Sequence, residues 1–331
     1  MLPHIRIMQG VKLWIAEARV PFLTASIVPV ILGSAIAWTS TVSFSWGVFW
    51  LTTLGGMLLH AGTNIANDYF DHKSGNDELN TEYVRPFTGG SRMIQQKLLT
   101  PKQVITGAFV CFIIGSIIGL YLAWLRGWPV LLLGAIGVFS GYFYTAPPFK
   151  LAHRGVGEIF VGMNFGVLMT LGAYFVQTGS FSLSVAFAGI PVSFLIAAVL
   201  YINQFPDYNA DRAVGKNHLV VRLGRERAVK GYEILMMAVY ASIVIGVVGK
   251  ILPVFTVLAL LTFPLAMKAV GTARKHYADS AHLAPANAAT VLVHLITGLL
   301  LSLGYLMKDL LQSMRFTAEL GRRLPLWSLG R

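Results

Sequence analysis

Three observations predict an all-α membrane protein with about nine transmembrane helices. The 331 residues are 55% apolar with a mean hydropathy of +0.66. Only 12% are charged, about half of the roughly 25% that a soluble domain carries. Apolar runs of about the 17 to 25 residues needed to cross a bilayer recur along the chain, and the acids collect in a few stretches at their ends.

Taken in order, the runs fall near 22–38, 47–67, 103–124, 129–145, 157–176, 182–204, 229–249, 251–269 and 286–307. Arg6, Lys12 and Arg19 precede the first, but no small-residue cleavage site follows in a workable place, so it reads as a retained helix and not a signal peptide. Cys111, the single cysteine, lies inside the third run and excludes a disulfide within the chain. Pro147 and Pro148 end the fourth. Pro206 bends or unwinds the end of the sixth. Only Gly249, Lys250 and Pro253 separate the seventh from the eighth, which leaves counts of eight and ten open. No linker or low-complexity segment interrupts the chain, so residues 1–310 read as one domain, followed by a basic tail over 311–331.

Lysine and arginine stay on the cytoplasmic side of a membrane. With the N-terminus inside, the inside segments hold 19 of the 26 basic residues and the outside loops only Arg126 and Lys250. Lys308, Arg315, Arg322, Arg323 and Arg331 fall in the tail, which an odd helix count places outside, against the rule. Four helices separate the two richest acidic stretches, so both return to one, cytoplasmic, face.

The first stretch runs from Asn64 to Asp77 and carries Asp68, Asp71 and Asp77. Asn64, Asp68 and Asp71 share one helical face, as do Asn67 and Asp71. The second, Asn203 to Asp211, carries Asn203, Asp207 and Asp211 at i, i+4 and i+8, again on one helical face. An acid inside a span costs about 2.5–3.5 kcal/mol even on the lenient insertion scale, so Asp68, Asp71, Asp207 and Asp211 read as functional and not as solvated surface. Carboxylates with amide oxygens are what Mg2+ takes, usually beside substrate phosphate oxygens. A phosphate or diphosphate is therefore the natural substrate group, and its charge calls for basic neighbours. Arg85, Arg92, Lys150, Arg154, Arg212, Lys216 and Arg222 stand in the right loops; Arg225, Arg227 and Lys230 read as anchors at the membrane surface. His60, one turn before Asn64, reads as an interhelical hydrogen bonder and not a metal ligand, and His294 likewise.

These residues carry a resemblance. Asn67-Asp68-Tyr69-Phe70-Asp71 with Gly75 and Asp77, Gly89-Gly90-Ser91-Arg92 with Ile94 and Gln95, Tyr144-Thr145-Ala146-Pro147-Pro148, and Asp207-Tyr208-Asn209-Ala210-Asp211 followed by Gly215-Lys216 and Leu219 to Gly224 are similar to the UbiA superfamily of intramembrane aromatic prenyltransferases. Within it they resemble the MenA-like branch. The general pattern has an acid where this chain has Gly75, and the acid is displaced to Asp77, as in that branch. The Lys73-Ser74 order departs from the Lys-Gly order of many members of the branch, so Lys73 is carried over only weakly.

The resemblance implies a bundle of nine helices around a central cavity, capped on the cytoplasmic side and open laterally to lipid. It implies Mg2+ on a polyprenyl diphosphate, with Asn67, Asp68, Asp71, Asp77, Asp207 and Asp211 as the metal shell and Asp68, Asp71, Asp207 and Asp211 as the catalytic set. Arg92, Lys150, Arg154 and Lys216, with Asn67, Asn203 and Tyr144, would bind substrate. The expected partners are the polyprenyl diphosphate, an aromatic acceptor and the bilayer of a bacterial or archaeal cytoplasmic membrane, with no nucleic acid. The acceptor expected is 1,4-dihydroxy-2-naphthoate, with decarboxylation, for menaquinone; the 6-naphthoate isomer of the futalosine route and 4-hydroxybenzoate are alternatives. A cation-coupled transporter is the reading from another class. It expects acids near the bilayer midplane in broken helices, whereas these lie at helix ends.

Overall fold

A computed structural model describes the backbone of residues 3–40 and 43–323, and every regular element among them is helical. α1 (Pro3–Glu17) precedes the first apolar run, and a 3-10 turn containing Pro21 leads into α2 (Thr24–Trp38). α3 (Trp46–Ser74), the short α4 (Asn76–Leu79), α5 (Pro101–Arg126) and α6 (Pro129–Tyr142) follow. α7 (Gly157–Gly162) continues through a π-helical stretch, Met163–Leu168, into α8 (Met169–Thr178). After α9 (Leu183–Ala213) come α10 (Leu219–Leu223) and α11 (Arg225–Val248). A 3-10 segment, Val254–Thr262, enters α12 (Phe263–His276), and α13 (Ser280–Arg323) ends the described chain. Of the tail charges, Arg331 lies outside the described residues.

Local chemistry sets these boundaries. Ser45 accepts a hydrogen bond from the Val48 N–H and caps α3. Thr100 and Gln103 form a reciprocal capping box on α5 with Pro101 at its first position. α1 is a helix that the hydropathy reading, which began at residue 22, did not assign. Its Val11 and Ile15 are exposed, as on a helix lying along a membrane surface, while Trp14 packs over Gly107 of α5.

Seven helices among the described residues are long and apolar enough to cross a membrane, and the chain is an integral membrane protein. The count of about nine is approximate because two expected spans are weaker. α3 has the length, but tryptophan, glycine, threonine and His60 dilute its apolarity; α6 has only 14 residues, against about 20 for a full crossing. Trp46, Trp50, Trp124 and Trp128 are exposed at the end of the bundle opposite the acids, as in an interfacial aromatic belt.

α9 is the central strut. It packs on α2, α7, α11 and α13, and most of its buried side chains belong to the largest core. Gly162 and Gly166 bring the α7 to α8 backbone against Gly189 and Ser193 of α9 so closely that no Cβ fits at Gly166, the small-residue contact of membrane helices. Tyr232 to Thr290 at 2.6 Å, and Thr262 to Tyr240 at 3.0 Å and to Thr297 at 2.8 Å, join helices through buried hydroxyls.

Of the bend or unwinding expected at Pro206, the unwinding is absent: α9 runs on to Ala213. Proline has no N–H for the Ile202 carbonyl. The Asn287 amide of α13 donates to that carbonyl at 3.3 Å and to Asn203 Oδ1 at 2.7 Å, and the Arg225 guanidinium donates to the Phe205 carbonyl at 3.1 Å. A neighbouring helix thus satisfies the carbonyl that the proline frees, and the Arg225 bond adds a second tie at the same end of α9.

Asn287→Leu is therefore expected to lower stability by about 1–3 kcal/mol through unpaired buried carbonyl oxygens, read as a lower melting temperature in detergent. Adding Pro206→Ala, which restores the N–H to Ile202, should recover part of the loss.

Candidate active site

The ends of α3 and α9 meet through their acids. Gly75 has φ 76 and its N–H bonds back to Asp71 and His72, a left-handed cap that glycine adopts without a Cβ penalty. That turn explains the glycine where an acid was expected: it swings α4 under the bundle. Asn76 then donates to Asp211 Oδ1 at 2.8 Å and Asn80 to Asp207 Oδ1 at 2.6 Å. From the other side, Gly215 (φ 74) turns the chain after α9 and brings Lys216 Nζ within 3.0 Å of Asp71 Oδ2 and 3.5 Å of Asp211 Oδ1. Burial opposes the Lys216 charge, but Asp211 and Asp71 outweigh it and hold the ammonium above its ordinary pKa. His218 Nδ1 accepts the Val221 N–H, so Nε2 carries the proton and donates to Asp211 Oδ2 at 2.8 Å.

A second buried set lies alongside. Asp68 accepts hydrogen bonds from the Arg19 guanidinium and, at 2.7 Å, from the Ser91 N–H. Arg19 also reaches Asn67 Oδ1 at 3.4 Å. The Ser91 hydroxyl donates to Glu17, whose second oxygen is buried without a partner. Gly90 (φ 70) passes so close that a Cβ there would stand 2.9 Å from Asp68 Oδ1. Burial, then the Asp68 carboxylate, push the Glu17 carboxyl up to about 8 against Ser91 and Arg19. Asp77 is pushed up to about 9 by burial, then by Asp71 and Asp68.

These groups form the polar end of a cavity of about 370 Å3. Beyond them the cavity becomes a shaft between α3, α5, α6 and α8, lined by aliphatic side chains and by glycines including Gly56, Gly119, Gly134, Gly137 and Gly172. A Cβ built at Gly119, Gly134 or Gly137 would meet no atom within 4 Å, so these three positions leave the shaft wide. Few polar side chains interrupt its wall; among them are His60, bonded to Ser26 Oγ of α2 at 2.8 Å, and Asn164, donating to Ser140 Oγ at 2.9 Å.

Of the residues singled out in the sequence, Asn67, Asp71, Asp77, Asn203, Asp207, Asp211, Tyr144 and Lys216 line this cavity. Asp68 stands behind the wall, held by Arg19 and Ser91. Arg92 does not reach the cavity: it donates to the Asp77 carbonyl and stacks on Tyr83 at 4.5 Å. Lys150 and Arg154 are exposed; Arg154 donates to the Pro148 carbonyl at 3.1 Å and receives Arg222 on its own carbonyl at 2.7 Å. Arg225, expected as an anchor, instead ties Glu82 at 2.7 Å to the end of α9. Arg19, Asn76, Asn80, Gln204 and His218 line the site without having been singled out. Asn76 and Asn80 repeat the one-turn spacing of the acids and were within reach of the sequence; Arg19, 49 residues from Asp68, was not.

Asp68, Asp71, Asp77, Asp207 and Asp211 face only Arg19 and Lys216 as cations within these contacts. Their oxygens, with Asn67 and the unpaired buried Asn76 Oδ1, are hard donors suited to Mg2+. Among the described residues no three His, Cys, Asp or Glu side chains close into a complete ion site. Lys216 stands between the two halves, and phosphate oxygens would have to supply the remaining ligands.

Comparison with known proteins agrees with this architecture. The UbiA prenyltransferase family model matches residues 26–307. The 1,4-dihydroxy-2-naphthoate octaprenyltransferase of Mycobacterium tuberculosis is 31% identical over 272 residues, 79% of this chain and 86% of the relative. The 2-carboxy-1,4-naphthoquinone phytyltransferase of Synechocystis is 28% identical over 296 residues, 89% and 93% of the two chains. A UbiA homolog from Archaeoglobus fulgidus, solved bound to DMAPP and Mg2+, shares the fold with a TM-score of 0.57 at 15% identity, covering 87% of this chain and 98% of that one.

The raised Glu17 carboxyl gives a pH test. Below its ordinary value of 4.5 the group is protonated folded or unfolded; between 4.5 and about 8 only the folded chain keeps the proton, so stability falls as pH rises through that window. Glu17→Gln is expected to flatten the fall in melting temperature between pH 5 and pH 8 relative to wild type.

Proposed function

Because this chain belongs to the UbiA prenyltransferase family, we propose that it transfers a polyprenyl group from its diphosphate to 1,4-dihydroxy-2-naphthoate, with loss of the ring carboxyl, in menaquinone synthesis. The observation that carries the reading is a single cavity whose acid-rich end opens into a glycine-lined apolar shaft. One end suits a diphosphate with its cations, the other an isoprenoid tail. The naphthoate acceptor rests on the names of the relatives, several of them naphthoate octaprenyltransferases. The transferase occupies residues 1–310 as one domain, with the acid-rich face on the cytoplasmic side, where the basic loops gather.

Asn67, Asp68, Asp71, Asp77, Asp207 and Asp211 would hold Mg2+ together with diphosphate oxygens. Bound there, Mg2+ supplies Lewis-acid stabilisation of the charge that grows on the departing diphosphate. The chain contributes the rest. Arg19 and Lys216, now paired with Asp68 and with Asp71 and Asp211, are the cations in reach of the same phosphate oxygens, and they stabilise that charge most once the allylic carbon–oxygen bond is breaking. The aliphatic shaft keeps water from the allyl cation. The ring carbon that bears the carboxyl then bonds to the allylic carbon, the bonding electrons of the broken carbon–oxygen bond having left with the diphosphate; its bond to the carboxyl breaks in turn, CO2 departs, and the electron pair left behind restores the aromatic ring.

Asp71→Asn and Asp207→Asn are each expected to abolish turnover in protein that remains monodisperse; wild-type rates in both would sink the reading. EDTA should stop the reaction and excess Mg2+ restore it. A competition assay in lipid with a labelled polyprenyl diphosphate, both dihydroxynaphthoates and 4-hydroxybenzoate should yield a demethylmenaquinone-type product. Prenylation of 4-hydroxybenzoate instead would move the pathway and keep the mechanism.

A further inference from the structure

His60 stands on α3 one turn before Asn64 and two before Asn67, on the face that lines the cavity. Its Nδ1 is tied to Ser26, a residue only 1% exposed, and Phe165 of the π-helical stretch packs against the imidazole with ring centroids 4.6 Å apart. Ser26 from α2 and Phe165 from the opposite wall thus fix the ring from two sides. Nε2 has no partner among the described residues, and unlike Nε2 of His294 it is not sealed inside protein. A polar nitrogen set in an apolar wall is costly unless something bonds it. Around it the wall is mostly glycine, aliphatic and aromatic surface, interrupted on the same helix by Thr63 and Asn64, and among the described residues no carboxylate bonds the ring.

The spacing along α3 shows what would fit. Seven residues separate His60 from Asn67, about 10 Å along the axis. That leaves room for an allylic carbon beside the diphosphate, a ring carbon in near-attack contact at about 3–3.5 Å, and the rest of an aromatic ring reaching on to His60. We propose that His60 recognises the acceptor: its Nε2 hydrogen-bonds a ring hydroxyl while Phe165 offers the aromatic body a face. A hydroxyl both donates and accepts, so either neutral tautomer serves. The bond aims the ring, which holds its nucleophilic carbon toward the allylic carbon. This inference rests on the transfer to a hydroxylated aromatic acceptor proposed above.

The test compares two probes in detergent, without metal or donor: 1,4-dihydroxy-2-naphthoate kept reduced, and 2-naphthoate, which lacks both hydroxyls. Wild type is expected to prefer the dihydroxy probe by about tenfold, the size of one well-made hydrogen bond. His60→Phe should bring that ratio close to one while leaving affinity for a non-hydrolysable prenyl diphosphate with Mg2+ unchanged. Ser26→Ala, which frees the ring, should lower the same ratio and serves where His60→Phe does not fold. A merely structural role would weaken both naphthoates alike, so an unchanged ratio with uniformly lower affinity overturns the inference, as does a wild-type preference retained in either variant. Wild type that binds neither naphthoate, yet transfers a prenyl group to 4-hydroxybenzoate, overturns the naphthoate reading and this inference with it.

Discussion

Lys216 sits between Asp71 and Asp211, and the rest of the site depends on that ammonium. Without a cation there, two carboxylates from two helices would face one another inside an apolar bundle, an arrangement that repels and is poorly solvated. With it, the ends of α3 and α9 can close on each other, α4 can tuck beneath them, and Asn76 and Asn80 can complete the acids' hydrogen bonds. Arg19 does the same for Asp68. Each cation is thus a tie across helices, and in the function proposed above it is also the partner for the phosphate oxygens.

The chain separates two demands in space. One end concentrates charge and holds it with a lattice of charge-assisted bonds; the shaft carries almost none and is shaped by what its side chains omit. α9 serves both, since its buried face anchors the main core while Asn203, Gln204, Asp207 and Asp211 point to the cavity. Carrying it through Pro206 needed the Asn287 amide of α13 on the Ile202 carbonyl, which is why α13 belongs to the architecture of the site although none of its described residues lines the cavity.

What could be read from sequence was what is local. The helical class and the apolar runs follow from composition, and the acids at one-turn spacing declare a shared face wherever the helix lies. Asp68, Asp71, Asp207 and Asp211 were legible for that reason, whereas Lys216 was found by its place in a loop and Asp77 by the family resemblance. Residues joined only by folding were not. Arg19 reads as one more basic residue before the first span until the 3-10 turn that follows it packs on α3. Lys150 and Arg154 occupy a loop on the right side, but the backbone of that loop, with Lys150 at φ 44, leaves them at the surface, a matter of a few dihedrals that no charge count contains. The π-helical stretch and the continuity of α9 through Pro206 likewise depend on neighbours distant in sequence.

The three glycines with open space at their Cβ positions carry a consequence for how such a protein diversifies. Gly119 lies on α5 and Gly134 and Gly137 on α6, so the bore of the shaft is set where no side chain is interlocked with another. A methyl or a larger group added there meets emptiness first and packing only later, whereas at Gly166 it would strike α9 at once. The volume offered to a tail can therefore drift by single substitutions while the polar end and the helix contacts stay intact. Capacity in this fold is a cheaply inherited variable, and chemistry is not.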